Sequence, residues 1–283
     1  MKIRALALAL VLVAGCDDKG PERAPAEKTA DKAEPAPTPK APDMTLSKKD
    51  LIDGADQVAL VPSPAEMERS LSHAGVGKTL ASMVKDRDIS MDVDNKDQLA
   101  VRAGVVLADL VLTVNNSPTE RTLARLDALK VALDKLGGGD DIPKVIDEIK
   151  NEIANGALEG NDLIRKFDEL SQVMVPELEY EAGEWVVPLI QAGSWLEGAH
   201  LVSGAVAETG KIDAADNLLR QPAVVDYFIK YVDREGSDKA PDEVVAKLRE
   251  TLTTLKTVAS KPSLAEADVK TIHAATGDVL SLL

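Results

Sequence analysis

Glu197 and His200 are the two residues whose types and spacing come closest to chemistry. An E-x-x-H step puts both side chains on one helix face, which is how each half of a carboxylate-bridged di-iron bundle presents its ligands. That chemistry needs two such pairs and two further glutamates. The chain has three histidines, His73, His200 and His273, and forms one such pair. No metal and no cofactor is therefore expected, and His200 is expected to be a core histidine bonded to a neighbour. The runs H-E-x-x-H, C-x-x-C and G-x-S-x-G are absent from the sequence. No catalytic residue is assigned, and the chain reads as a non-enzyme.

Two other stretches invite a chemical reading and fail it. Gly75-Val76-Gly77-Lys78-Thr79 suggests a phosphate-binding loop, but Ser72 stands where the motif needs its first glycine. A helical run precedes it where a strand is required, so the glycines read as a helix stop and restart. Asp86, Asp88, Ser90, Asp92, Asp94 and Asp97 fall at oxygen-ligand positions of a calcium loop. Met91 occupies the sixth position, where the turn needs glycine, and Asp97 the twelfth, where glutamate chelates. The expectation is a solvated connection between helices.

The one cysteine, Cys16, rules out an intrachain disulfide. Lys2 and Arg4 form a charged n-region, Ala5 to Val13 a short apolar h-region, and Val13-Ala14-Gly15-Cys16 follows. Such a run is too short to span a bilayer and reads as an export signal. In that order and place it resembles the lipobox of bacterial lipoproteins. The resemblance implies that Cys16 carries the lipid, including palmitate, and becomes the first residue once the signal peptide 1–15 is removed. Asp17 resembles the inner-membrane retention signal of some enteric bacteria, but that rule is not general, and inner versus outer membrane stays open. Residues 16–43 then form the lipidated cysteine and a stem. Six prolines lie among Ala, Lys, Glu and Asp without apolar periodicity, so the stem is expected to stay disordered. Fully stretched at ~3.1 Å per residue, it would reach on the order of 80 Å.

The candidate chemistry must be positioned by helices. Of the 283 residues, 45% are hydrophobic but only 2% aromatic; Ala, Leu and Val dominate, which favours helix over sheet. The formal charge of −15 argues against a nucleic-acid partner and against adsorption to anionic lipid. Trp185 to Ala207 is apolar almost all round a helix and contains both tryptophans, Trp185 and Trp195. It reads as a central helix on which the others pack. A membrane span is the competing reading, opposed by Pro188, Gln191, Glu197 and His200. Ala199, Ser203 and Ala207, four apart, would let a neighbouring helix come close.

Flanking helices follow from apolar spacing: 96–114, 118–136, 142–153, 161–174, a short helix capped by Asp213, one from Pro222, one from Pro241 and one from Leu264. Ser63, Ser117 and Ser263 each precede a glutamate three residues on and predict capping boxes. Gly137-Gly138-Gly139, Asn155-Gly156 and Gly236-Ser237 predict breaks. No alternating strand is found, so the domain 44–283 is expected to be an all-α bundle of about eight to ten helices.

Three stretches carry a further likeness: Leu60 to Glu66, Gly104 to Leu110, and Gln191 to Gly198. With P-S-P-x-E, G-V-x-x-A-D-L and A-G-S-W-x-E-G they resemble an uncharacterised family of exported, all-helical bacterial proteins. The resemblance implies a fold and no activity. The family run has an aromatic residue where this chain has His200, which argues against a ligand role for that histidine.

The expected function is that of a membrane-anchored exported lipoprotein of the cell envelope, facing the periplasm or the exterior. Its helical domain would be a non-enzymatic structural or interaction module for another envelope protein. The alternative is a carrier or sensor of an apolar ligand or lipid near Trp185 and Trp195, with Glu197 and His200 as possible ligand or helix-interface residues. The oligomeric state stays open.

Overall fold

The computed structural model describes residues 64–84, 89–239 and 242–283. Cys16, the signal peptide, the stem, the lead from Met44, Ser63, Asp86, Asp88 and Pro241 lie outside the described residues. Those residues form eleven helices and no strand: α1 Pro64–Ala74, α2 Gly77–Met83, α3 Lys96–Thr113, α4 Thr119–Leu136, α5 Asp141–Ala154, α6 Gly160–Glu181, α7 Val186–Thr209, α8 Ile212–Leu219, α9 Pro222–Lys239, α10 Asp242–Ala259 and α11 Glu266–Leu280. Among them no helix is long and apolar enough to cross a membrane.

The apolar run around Trp195 becomes α7, and it is buried on every side. It packs against α1, α2, α3, α6, α8 and α11. Its first turns, Val186 to Ile190, belong to a core shared with α3, α4, α5 and α6. From Trp195 to Val206 it belongs to a second core, built with α1, α2, α8, α9, α10 and α11. Pro188 lies in the first turn, where a missing N–H breaks no helical bond.

Local signals set most boundaries. Gly137 ends α4 at φ +93° and Gly210 ends α7 at φ +69°, left-handed positions that glycine takes without strain. Gly75, at φ +70°, separates α1 from α2, as the stop-and-restart reading requires. Asn95 caps α3 by accepting from the Gln98 N–H at 3.0 Å. The acidic connection before it is pinned rather than open: Lys135 Nζ donates to the Met91 carbonyl at 2.9 Å and to Asp92 Oδ1 at 3.3 Å.

Several expectations need correction. α6 runs through Pro176 to Glu181 instead of stopping at Met174. Met174 and Leu178, one on each side of the proline, are both buried in the first core, and that burial outweighs the lost hydrogen bond. α9 continues through Gly236 to Lys239. A Cβ at Gly236 would lie 3.3 Å from Val232 Cγ1 and from Val245 Cγ1, so this glycine serves the packing of α9 against α10. Asp213 sits inside the first turn of α8, and Lys211 holds the cap position. Ser117 forms no capping box; its hydroxyl donates to Thr113 Oγ1 at 2.8 Å and accepts from Arg125 at 3.1 Å. α11 begins beyond Ser263. Its cap is Ala265, whose N–H donates to Asp268 Oδ2 at 3.0 Å.

Candidate functional site

α3 and α7 approach until backbone meets backbone. A Cβ on Gly104 would stand 2.0 Å from the Ile190 carbonyl oxygen, and one on Gly193 would stand 2.0 Å from that of Val101. The relation is reciprocal: each glycine sits on the carbonyl three residues before the other. Ser194 Oγ then donates to the Gly104 carbonyl at 2.8 Å, in the buried interior. Farther along both helices a Cβ on Gly198 would lie 4.0 Å from Leu112, so α3 and α7 run in the same sense. The stretches Gly104 to Leu110 and Gln191 to Gly198 therefore meet on this seam.

A second seam joins α7 to α11, and it contains His200. A Cβ on Gly277 would stand 3.1 Å from His200 Cε1, and one on Gly204 would stand 2.9 Å from His273 Cε1. Later residues of α7 thus face earlier residues of α11, and these helices run in opposite senses. The two imidazoles stack with centroids 4.1 Å apart and planes 10° from parallel. His200 Nδ1 donates to the His273 carbonyl at 3.1 Å, and His273 Nδ1 donates to the His200 carbonyl at 2.9 Å. A carbonyl oxygen can only accept, so each ring carries a proton on Nδ1.

The hydroxyls one turn on repeat the symmetry. Ser203 Oγ donates to the Ala199 and His200 carbonyls at 2.6 and 2.9 Å. Thr276 Oγ1 donates to those of Ile272 and His273 at 2.8 and 3.2 Å. The same five-residue pattern, H-x-x-[ST]-G, thus occurs at His200–Gly204 and His273–Gly277. His273 lies outside the E-x-x-H pair, and the repeated pattern is the signal in the sequence that links it to His200. Of the small residues expected to admit a neighbour, Ala199 and Ser203 are buried. At the glycines of both seams the lack of a Cβ admits a ring edge or a carbonyl.

The other singled-out residues are scattered by the fold. Glu197 is 1% exposed on α7, one turn before His200. Trp195 is buried, tilts against Phe228 with centroids 5.6 Å apart, and donates to Gln221 Oε1 at 3.3 Å. Trp185 precedes α7 and donates to the Ala182 carbonyl at 2.9 Å. Both indoles are spent on packing and caps. Lys211 closes the end of α1 by donating to the Ala74 and Gly75 carbonyls at 2.8 and 3.1 Å.

Among the described residues no group of three or more His, Cys, Asp or Glu is arranged to hold a metal ion. The electrostatic perturbation at Asp268 is also structural. The Lys261 ammonium and the Ala265 N–H hold the Asp268 carboxyl below its usual range. A cavity of about 540 Å³ lies elsewhere, between α1 and α6. Compared with known proteins, the chain matches no family model, no curated protein and no solved structure.

Proposed function

We propose that this chain is an exported bacterial lipoprotein, anchored through Cys16, held off the membrane by the stem 17–43, and docking another cell-envelope protein through its helical domain. The order of charge, short apolar run and Val13-Ala14-Gly15-Cys16 supports the anchor. A non-enzymatic domain is supported by how its polar chemistry is spent: both seam histidines, Ser203 and Thr276 are committed to helix contacts.

One observation carries the docking reading. Tyr180 is 85% exposed on α6. Val173 and Pro176, also exposed, stand seven and four residues earlier on the same face. A tyrosine held in water on a rigid helix is the kind of anchor that protein interfaces bury. The carrier alternative has less behind it, because Trp195 is packed on Phe228 and neither tryptophan lines the large cavity.

The test places a photo-crosslinking amino acid at position 180 of the full lipidated chain in cells, with position 144 on α5 as control. Defined protein adducts are expected from 180 and not from 144. Equal adducts at both positions, or none at 180, would refute docking through α6. Palmitate labelling of wild type and Cys16→Ala tests the anchor separately: equal incorporation would refute it.

A further inference from the structure

The cavity between α1 and α6 has an unusual floor. Glu68 is 5% exposed there. Both hydrogen bonds to its carboxylate fall on Oε1, from Ser72 Oγ at 2.6 Å and from Asn115 Nδ2 at 3.0 Å. Both donors are neutral. Oε2 takes no hydrogen bond among the described residues. Burying a carboxylate without an opposite charge is costly, and this one borders a space large enough for a small organic molecule.

The cations nearby are already engaged. Arg69 pairs with Asp168 at 2.9 Å, and Arg165 with Glu169 at 2.9 Å and Asp162 at 3.2 Å. Their charged ends answer acids on the rim, while their methylene stems and Ile164 give the cleft apolar walls. An anion entering the cleft would meet Glu68. The N-terminal end of α6, which would favour an anion, is flanked by Glu159 and Asp162. A cation meets a buried partner instead.

We propose that the cleft between α1 and α6 binds a primary ammonium group carried on an apolar chain, with the Glu68 carboxylate as its counter-ion. The ammonium donates to Oε2, and the chain lies along Ile164 and the arginine stems. This goes beyond docking through α6, since it gives the domain a small-molecule site near the other end of that helix.

The experiment titrates the full chain with n-hexylammonium chloride by calorimetry, with 1-hexanol and hexanoate as controls. An acidic protein attracts any cation weakly, so the variants decide the matter. Saturable hexylammonium binding is expected, at least about tenfold tighter than hexanol, with hexanoate weaker still. Glu68→Gln keeps the shape and the Oε1 acceptor and should weaken hexylammonium by about tenfold or more, with helical circular dichroism unchanged. If Glu68→Gln does not fold, His73→Trp decides instead. It fills the cleft from an exposed rim position and should weaken binding to a similar degree. Equal affinity for hexanol, unchanged binding in whichever variant folds, or no saturable heat at millimolar concentration would overturn the proposal.

Discussion

Gly104→Ala tests the α3–α7 seam with one methyl group. The new Cβ would stand 2.0 Å from the Ile190 carbonyl oxygen, 2.8 Å from the Ser194 nitrogen and 2.9 Å from the Ile190 carbonyl carbon, where ordinary contact begins at 3.4 Å. All three obstacles are backbone, so no side chain can rotate away. The helices must part along a seam that lies in the centre of the domain. Overpacking of this kind costs ~1–3 kcal/mol. Parting the helices also strains the Ser194–Gly104 hydrogen bond, worth ~1 kcal/mol. Against this, alanine favours helix over glycine by ~1 kcal/mol. The net is a loss of about 1–3 kcal/mol. Gly236→Ala is the internal control. Its Cβ would meet only valine methyl groups, at 3.3 and 3.4 Å, so the propensity gain should bring its net effect close to zero. Urea unfolding followed by circular dichroism reads both variants. A Gly104→Ala variant within about 0.5 kcal/mol of wild type would refute the backbone-to-backbone seam.

The histidine stack should couple. His200→Ala removes the contacts of Nδ1 with the His273 carbonyl and with Thr276 Oγ1, His273→Ala removes that with the His200 carbonyl, and both lose the same ring contact, so the double mutant should cost less than the two singles together by ~1–2 kcal/mol; strict additivity would count against the reciprocal pair. Glu197→Ala removes a 1% exposed carboxylate and should cost ~1–3 kcal/mol in the same assay; a change within about 0.5 kcal/mol would mark it as an ordinary surface substitution. Asp268 gives a pH signature. Its folded-state carboxyl is held below the usual range, chiefly by Lys261. Its contribution is therefore present above the unfolded-state pKa and is lost as pH falls through the folded-state value. Asp268→Asn should destabilise by ~1 kcal/mol at pH 7 and converge on wild type in strong acid; a difference that persists there would assign the effect to something other than ionisation.

Elements that announce themselves through local pattern were legible. The isoleucines of α5 fall at spacings of three and four, and the isotropic apolar run of α7 could only be buried. Gly137 and Gly75 ended helices because a left-handed residue is needed there. What failed was context. Gly236 looks like a break until Val245 comes against it, and Pro176 looks like a stop until Leu178 is seen in the core. Ser117 and Ser263 satisfy the capping pattern, but tertiary partners and a cap two residues on prevail. At the candidate site, Glu197 and His200 shared a helix as expected. The partner on α11 lies seventy-three positions from His200, and no local periodicity reports a contact across that distance. The glycines that make both seams, Gly104, Gly193, Gly204 and Gly277, lie inside helical runs, where nothing local marks them as the places that let another helix in.

α7 gives its first turns to one core and its remaining length to the other. Melting either core would strip that part of α7 and leave an apolar rod half in water. Neither half therefore has a stable way to open alone, and the described domain should behave as one cooperative unit. Its slowest-exchanging amides should lie along α7 and along the parts of α3 and α11 that face it. Short helices touching only one core, such as α5, can fray without disturbing this common axis.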